Sequence, residues 1–112
     1  VDPMVSVTAA RKAIESGGVQ WGDYYFDTSP KSQAKIAAAG SRLRKRPIKW
    51  KCARVTEEGA MELAYVRLTS EELEEVATLV QDHVQKCFDV EALCYEALVA
   101  GTPIDFRDTF YA

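Results

Sequence analysis

The side chains with the greatest capacity for metal binding follow one helical pattern near the C-terminus. They are His83, Cys87, Glu91 and Cys94, at successive spacings of four, four and three. Zinc needs four ligands that converge to about 2.0–2.3 Å from the ion, and residues more than one helical turn apart cannot all reach it. Cys52 would therefore have to supply a ligand from another element. We adopt the simpler interpretation, in which the cysteines are small buried hydrophobic residues, and predict no metal or other cofactor.

The cysteines also bear on where the protein is made. The chain has three of them, an odd number without the close spacing of a disulfide framework. Cys87 and Cys94 would lie two helical turns apart, roughly 10 Å at the helical rise, which is too far for a bridge. We predict reduced thiols in a protein made in the cytosol.

Side chains that could act as acids, bases or nucleophiles form no recognisable catalytic motif. The sequence has one histidine and contains no phosphate-binding Walker loop, Gly-x-Ser-x-Gly elbow or Cys-x-x-Cys pair. Glu71-Glu72 and Glu74-Glu75 lie at a predicted helix start, where carboxylates interact favourably with the helix dipole. A glycosidase needs instead a concave site and one carboxyl group of raised pKa. We therefore predict that the protein is not an enzyme.

A basic segment over 42–54 is the strongest candidate for an electrostatic binding site. It holds seven of the 14 basic residues and interleaves Trp50. One interpretation is a nucleic-acid-binding patch, because basic side chains contact phosphates and an aromatic ring can stack on a base. The other is a solvated or charge-paired face, since the net charge is −3 and seven glutamates lie between Glu57 and Glu75. This acidity argues against nucleic acid. The basic residues are Arg42, Arg44, Lys45, Arg46, Lys49, Lys51 and Arg54.

Length and composition predict one globular domain over residues 1–112. Hydrophobic residues make up 47% of the chain and charged residues 28%, which is too apolar for disorder. The sequence has no apolar run long enough to span a membrane. Residues 1–5 have no leader pattern, and we expect them to be flexible or left over from cloning.

Periodicity and turn signals predict an α+β fold. Gly22-Asp23 lies between two aromatic-rich triplets and suits a tight hairpin turn, and Ser29-Pro30 is a typical helix start. In chain order we predict a helix over 6–16, a hairpin over 19–26, a helix over 30–44, strands over 48–55 and 60–66, and a helix over 70–100. The two hairpins would form one small antiparallel sheet, covered on one face by two short helices and one long C-terminal helix.

The last helix is the clearest element and is unusually long for so small a chain. Thr69 and Glu72 form a capping box, and neither Pro nor Gly follows before Gly101. About 31 residues at the helical rise give ~46 Å, whereas a compact chain of this size is about 35 Å across. The helix should therefore extend beyond the domain, kink, or pack on another chain. Its apolar stripe alternates spacings of four and three: Leu73, Ala77, Val80, Val84, Cys87, Glu91, Cys94 and Leu98.

Two segments are candidates for partner contact. The N-terminal half of the stripe, with Leu73 and Val80, fits a core beneath the hairpins, whereas the C-terminal half extends far enough for self-association. The C-terminal segment 102–112 is dense in aromatic residues, which dock either on the domain itself or on a neighbour. We predict these partner-binding residues: Cys94, Leu98, Phe106, Phe110 and Tyr111.

Three groups of residues, in order along the chain, carry a resemblance to a known family. They are Gly17-Gly18-Val19 with Gly22 and Phe26-Asp27-Thr28; Ser32-Gln33-Ala34-Lys35-Ile36 with Ile48-Lys49-Trp50-Lys51; and Leu68-Thr69-Ser70-Glu71-Glu72-Leu73 with His83-Val84-Gln85 and Cys87-Phe88. Together they resemble a phage domain family of unknown function found in tail-fibre and tail-assembly proteins. Ser29 stands where the family has Asp, and both residue types cap a helix. The basic segment and the aromatic C-terminal segment are not explained by the resemblance.

The resemblance implies a function in the assembly of tailed bacteriophages. Family members are structural or assembly parts of tails without known catalytic residues. We therefore expect a structural or adaptor protein of the tail-fibre or baseplate region that contacts other tail proteins. It would be made in the host bacterial cytoplasm and reside in the virion tail. Two alternatives stay open: a tail-fibre assembly chaperone, and a small nucleic-acid-binding regulator that uses residues 42–54.

Overall fold

The chain folds into one four-stranded antiparallel sheet and four helices, in a computed structural model that describes residues 2–41 and 45–112. In chain order the elements are α1 (Pro3–Glu15), β1 (Val19–Trp21), β2 (Tyr24–Phe26), α2 (Pro30–Gly40), β3 (Ile48–Val55), β4 (Met61–Leu68), α3 (Ser70–Val99) and α4 (Phe106–Phe110). The strands follow the sheet order β1-β2-β3-β4. The predicted α+β class and the single sheet built from two hairpins are confirmed.

The sheet consists of two hairpins of unequal length. β1 and β2 pair from Val19↔Phe26 to Trp21↔Tyr24, around a turn in which Gly22 has a φ of 61°, a conformation that favours glycine. β3 and β4 pair over all eight residues of each strand. Since side chains alternate between the faces of a sheet, Ile48, Trp50 and Cys52 share the inner face, while their neighbouring lysines lie on the outer face.

The N-terminal helix begins earlier than the apolar pattern predicts. α1 starts at Pro3 rather than Ser6, because the side chain of Asp2 accepts a hydrogen bond from the backbone N–H of Met4 at 2.9 Å and Pro3 occupies the first turn. Residues 3–5 are therefore helical, although we expected residues 1–5 to be flexible. Val1 lies outside the described residues.

The second helix ends at Gly40, short of the predicted Arg44, and positions 42–44 lie outside the described residues. The capping by Ser29, with Pro30 in the first turn, is as predicted. Gly40 faces α3 so closely that a Cβ atom on it would lie 2.8 Å from the Cβ of Ala77. Small residues at both positions thus allow the close approach of α2 and α3.

The long helix is continuous over 30 residues. Both bonds of the predicted capping box are present: the backbone N–H of Glu72 donates to Thr69 Oγ1 at 3.2 Å, and the backbone N–H of Thr69 donates to Glu72 Oε1 at 3.0 Å. At its other end Gly101 adopts a φ of 77°. Preceding this helix, β4 continues to Leu68 rather than Val66, so the strand runs directly into the cap.

Two hydrophobic cores lie along this one helix. The first fills the space between the sheet, α2 and the N-terminal half of α3, and it comprises Phe26, Ile36, Ala39, Cys52, Leu68, Leu73, Val76, Ala77 and Val80. The second joins the C-terminal half of α3 to α1 and α4, and it comprises Ile14, Cys87, Val90, Cys94, Phe106 and Phe110. α3 is thus the element shared by both cores.

The chain is elongated because α3 exceeds the width of a compact domain. Its principal extents are 53 × 35 × 22 Å and its radius of gyration is 16.5 Å, against about 13 Å for a compact chain of this length. We predicted a helix that extends beyond the domain, kinks or packs on another chain. The helix instead extends beyond the sheet, and its C-terminal stripe is covered within the chain. α1 and α4 cover it, so that Cys87 and Cys94 are essentially inaccessible to solvent.

Candidate interaction surfaces

The aromatic C-terminal segment docks on its own domain. Asp105 caps α4 by accepting a hydrogen bond from the backbone N–H of Asp108 at 3.0 Å. This short helix places Phe106 and Phe110 in the second core with ring centroids 6.1 Å apart. The Phe110 and His83 rings are nearly perpendicular, with centroids 5.9 Å apart. The sequence left open whether this segment docks on its own domain or on a neighbour, and in the structure it docks on its own domain.

The five residues predicted to bind a partner therefore differ in accessibility. Cys94, Phe106 and Phe110 are buried in the second core. Leu98 is half-buried, and Tyr111 is 69% exposed. The prediction named all three aromatic rings of the segment as partner-binding residues. Since Phe106 and Phe110 lie on the same side of the short helix, both contribute to the core, and Tyr111 is the ring of this segment available to a partner.

A polar network joins α1 to its neighbouring helices. Arg11 donates from Nε to Glu91 Oε2 at 2.9 Å and from Nη1 to Glu15 Oε1 at 2.6 Å, and Gln33 donates to Glu15 Oε2 at 2.9 Å. Burial raises the pKa of Glu15, but the hydrogen bonds from Gln33 and Arg11 outweigh it, so the pKa lies below its ordinary value. The network explains why Glu91 interrupts an otherwise apolar stripe: it holds the guanidinium of Arg11.

The candidate metal ligands are engaged elsewhere. His83 Nε2 lies 2.8 Å from the carbonyl oxygen of Ile14, and Glu91 is paired with Arg11. Cys52 belongs to the first core, whereas the other two cysteines belong to the second. In the described part of the chain, His, Cys, Asp and Glu side chains form no group of three or more that could hold a metal ion.

The three cysteines are free and buried. Burial raises the pKa of Cys87 to about 11, and it also raises the pKa of Cys52 and of Cys94. Because the thiolate is the reactive form, these thiols combine low access with low ionisation. Their chemistry in the folded chain is that of small hydrophobic residues.

We expect the native chain to resist thiol modification at neutral pH. Ellman's reagent should titrate three thiols in denaturant and react with the native chain only as fast as the chain opens. A Leu63→Cys variant provides the control, since Leu63 lies on β4, is 62% exposed, and its thiol should react at once. Immediate reaction of a native thiol would contradict the burial described here.

A second apolar stripe lies on the solvent face of α3. Phe88, Ala92, Tyr95 and Val99 recur at spacings of four, three and four, and all four are exposed. Val99 and Tyr95 are the most exposed large side chains of the stripe, at 72% and 56%. The sequence contains this pattern, but the longer stripe that begins at Leu73 conceals it, since both have the same alternating spacing. We call these four residues the outer stripe.

The basic segment divides between the two faces of the sheet. Lys49 and Lys51 are exposed on the outer face, where Lys51 lies opposite Tyr65. Trp50 instead packs half-buried against the first core. Lys45 and Arg46 are exposed, and Arg42 and Arg44 lie outside the described residues. The side chain of Trp50 therefore projects from one face of β3 and those of Lys49 and Lys51 from the other.

Comparison with protein families gave a match over nearly the whole chain. A family described as "Domain of unknown function (DUF4376)" matches residues 4–110. The chain belongs to this family. The matched span of this DUF4376 domain runs from α1 to the last residue of α4, so the docked C-terminal segment is part of the domain. Searches of curated proteins and of solved structures gave no match.

Within residues 2–41 and 45–112 of this DUF4376 domain, no helix combines the length and the apolarity needed to cross a membrane.

Proposed function

We propose that the chain is a structural or adaptor domain of a bacteriophage tail, in the tail-fibre or baseplate region, that acts by protein–protein contacts and not by catalysis. The assignment to a tail is supported by the sequence resemblance described above. The mode of action is supported by one observation: the outer stripe is an apolar seam on α3 that is largely exposed to solvent.

The outer stripe fits a second copy of the chain. Spacings that alternate between four and three residues are those of a helix that packs against another helix of the same kind. From Phe88 to Val99 the stripe is roughly 16 Å long at the helical rise. Two copies related by a twofold axis would bury the same four residues from each side, which is the commonest arrangement in soluble oligomers.

The outer stripe differs from the apolar stripe whose C-terminal half was predicted to self-associate. That half contains Cys87 and Cys94, which α1 and α4 cover. Self-association through the C-terminal half of α3 is therefore proposed on a different face of the same helix. The Arg11 guanidinium of α1 lies over the Phe88 ring at 4.7 Å from its centroid, so α1 partly covers the first residue of the stripe.

Sedimentation equilibrium of the chain and two matched variants tests this proposal. We expect the average mass to rise with concentration, and Tyr95→Glu to shift the association to at least about tenfold higher concentration, because a carboxylate would be buried in the seam. Tyr65→Glu is the control: Tyr65 is 62% exposed, close to the 56% of Tyr95, but lies on the sheet. A monomer at all concentrations, or equal effects of both variants, would refute association through the outer stripe.

The location in a tail is tested separately. Mass spectrometry of purified particles of the phage that encodes the chain should detect it in stoichiometric amount with other tail proteins. Absence from the particles, together with a requirement for the chain during fibre assembly, would replace the structural role by that of a chaperone.

A further inference from the structure

The first half of β3 has an edge that lacks a partner strand. β2 pairs with β3 only at Tyr24↔Arg54 and Tyr25↔Ala53, whereas β3 extends back to Ile48. Its other edge is fully paired with β4. Among the described residues, the stretch from Lys49 to Cys52 is therefore bonded on one side only.

The direction of the unpaired backbone groups follows from the alternation of an antiparallel ladder. The backbone N–H of Val55 donates to the carbonyl oxygen of Asp23 at 3.1 Å, so Val55 turns its backbone groups towards β2. Every second residue does the same. The N–H and C=O groups of Ala53, Lys51 and Lys49 thus point to the β2 side. In the described part of the chain, β2 pairs with Ala53, but no strand pairs with Lys51 or Lys49.

A cleft of about 620 Å³ lies along this edge. One side is the strand from Lys49 to Ala53, and the other is formed by the end of β2 and by α2, which contributes Ser32 and Lys35. Phe26 and Trp50 provide apolar surface. The cleft is thus bordered by a strand edge. Along this edge two residues, Lys49 and Lys51, have backbone groups without a partner strand among the described residues.

The charge of the cleft is predominantly positive. Lys35, Lys49 and Lys51 line it and are exposed, and they take part in none of the ion pairs found among the described residues. The acidic group on its lining is Asp27, which accepts hydrogen bonds from Ser29 at 2.6 Å and Ser32 at 2.5 Å. These hydrogen bonds hold the pKa of Asp27 below its ordinary value, so it stays negative and leaves a net excess of positive charge.

We propose that this cleft binds an extended acidic segment of a partner protein, which adds to the sheet as a strand along Lys49–Cys52. The guest backbone would pair with the free groups of Lys49 and Lys51, as in other cases of strand addition to a sheet edge. Lys49 and Lys51 lie two residues apart on the outer face, so acidic side chains at every second position of the guest would face them across the strands. The site is independent of the outer stripe on α3.

The same positive charge could attract a nucleic acid, but the backbone argues for a peptide. Alternating N–H donors and C=O acceptors along a strand edge match another peptide backbone. A phosphodiester chain offers acceptors only and would leave the carbonyl groups of Lys49 and Lys51 unmatched. Trp50, the ring closest in sequence to the two lysines, projects from the opposite face of β3 and packs half-buried against the first core.

Synthetic peptides with blocked ends test the proposal, with titration followed by amide NMR. The probe is Ac-Thr-Glu-Val-Glu-Val-Thr-NH2. One control peptide has Gln in place of each Glu, and another has the same sequence with N-methylated central amides. We expect the probe to bind more tightly than either control and to slow exchange of the Lys49 and Lys51 amides. In the free chain these amides should exchange quickly, while those of Trp50 and Cys52, bonded to β4, exchange slowly.

Charge reversal on the protein provides the second arm. Lys51→Glu should weaken binding of the probe about tenfold, since it replaces an attraction across the strands by a repulsion. Arg107→Glu, an exposed position on α4, is the matched control and should leave binding unchanged. An oligothymidine strand is titrated in parallel.

Four outcomes would overturn the proposal. They are absence of peptide binding at millimolar concentration, equal binding of the Glu and Gln peptides, undiminished binding of the N-methylated peptide, and tighter binding of oligothymidine at Lys49 and Lys51. The last of these would assign the cleft to nucleic acid. None of these outcomes bears on the association through α3, which sedimentation of Tyr95→Glu tests separately.

Discussion

Phe106→Ala is expected to lower the free energy of unfolding by about 3–5 kcal/mol, the usual cost of removing a buried aromatic ring. Phe106 is 3% exposed, and its ring stacks on Phe110 within the second core. Its loss leaves a cavity between α4, α1 and α3 that rigid helices fill only in part. Urea denaturation followed by far-ultraviolet circular dichroism measures the change.

Tyr111→Ala is the matched control for this variant. Tyr111 belongs to the same C-terminal segment but is 69% exposed, and its ring packs nearly perpendicular to that of Phe110. Removing the Tyr111 ring should lower the free energy of unfolding by less than about 1.5 kcal/mol, the upper range for an aromatic pair. If Phe106→Ala costs no more than Tyr111→Ala, the segment is not part of the folded core.

Leu73→Ala is expected to destabilise the chain by about 2–5 kcal/mol through the first core. Leu73 is fully buried where α3 meets the sheet and α2. Leu79→Ala, on the same helix at a position that is 36% exposed, serves as the control and should cost less than about 1 kcal/mol. Similar losses for the two variants would mean that this part of α3 does not pack on the sheet as described.

Phe106→Ala also reports whether the two cores unfold as one unit. Trp21 and Trp50 both pack against the first core, so tryptophan fluorescence follows that core alone. Because α3 runs through both cores, Phe106→Ala should shift the fluorescence transition to lower urea by the same amount as the circular dichroism transition. A fluorescence transition that stays in place would show that the second core unfolds separately.

Features governed by residues close together in sequence could be predicted from the sequence. The turn at Gly22, the cap at Ser29 and the capping box of Thr69 and Glu72 each depend on a few adjacent side chains, and each is present. The alternation along Ile48–Cys52 correctly gives the inner face of β3. In contrast, α1 begins at Pro3 because Asp2 can act as its cap, and an apolar pattern that starts later does not reveal this.

What covers an apolar surface could not be predicted in the same way. Periodicity shows that one face of α3 avoids water, but a helix from the same chain and a helix from a second copy satisfy that requirement equally. The choice depends on Ile14, Phe106 and Phe110, which lie far from Cys94 in sequence or beyond a loop and meet it only in the folded chain. The outer stripe was missed for a related reason: two stripes with the same spacing share one helix.

The cleft beside β3 was equally beyond reach of the sequence. The lysines at 49 and 51 were identified as part of a basic segment, and a β2 shorter than β3 was predicted. The sequence does not show which residues of β3 lie opposite β2, because this pairing register depends on how the two hairpins meet. The sequence of either hairpin alone does not determine this register.

The association of two chains through the outer stripe is tested most directly by isotope-filtered nuclear Overhauser spectroscopy. The sample is an equimolar mixture of labelled and unlabelled chains at high concentration, so that every filtered signal joins two different molecules. We predict cross-peaks between the rings of Phe88 and Tyr95 and the methyl groups of Val99 and Ala92. A spectrum without them, from a sample that sediments as a monomer, would contradict the account.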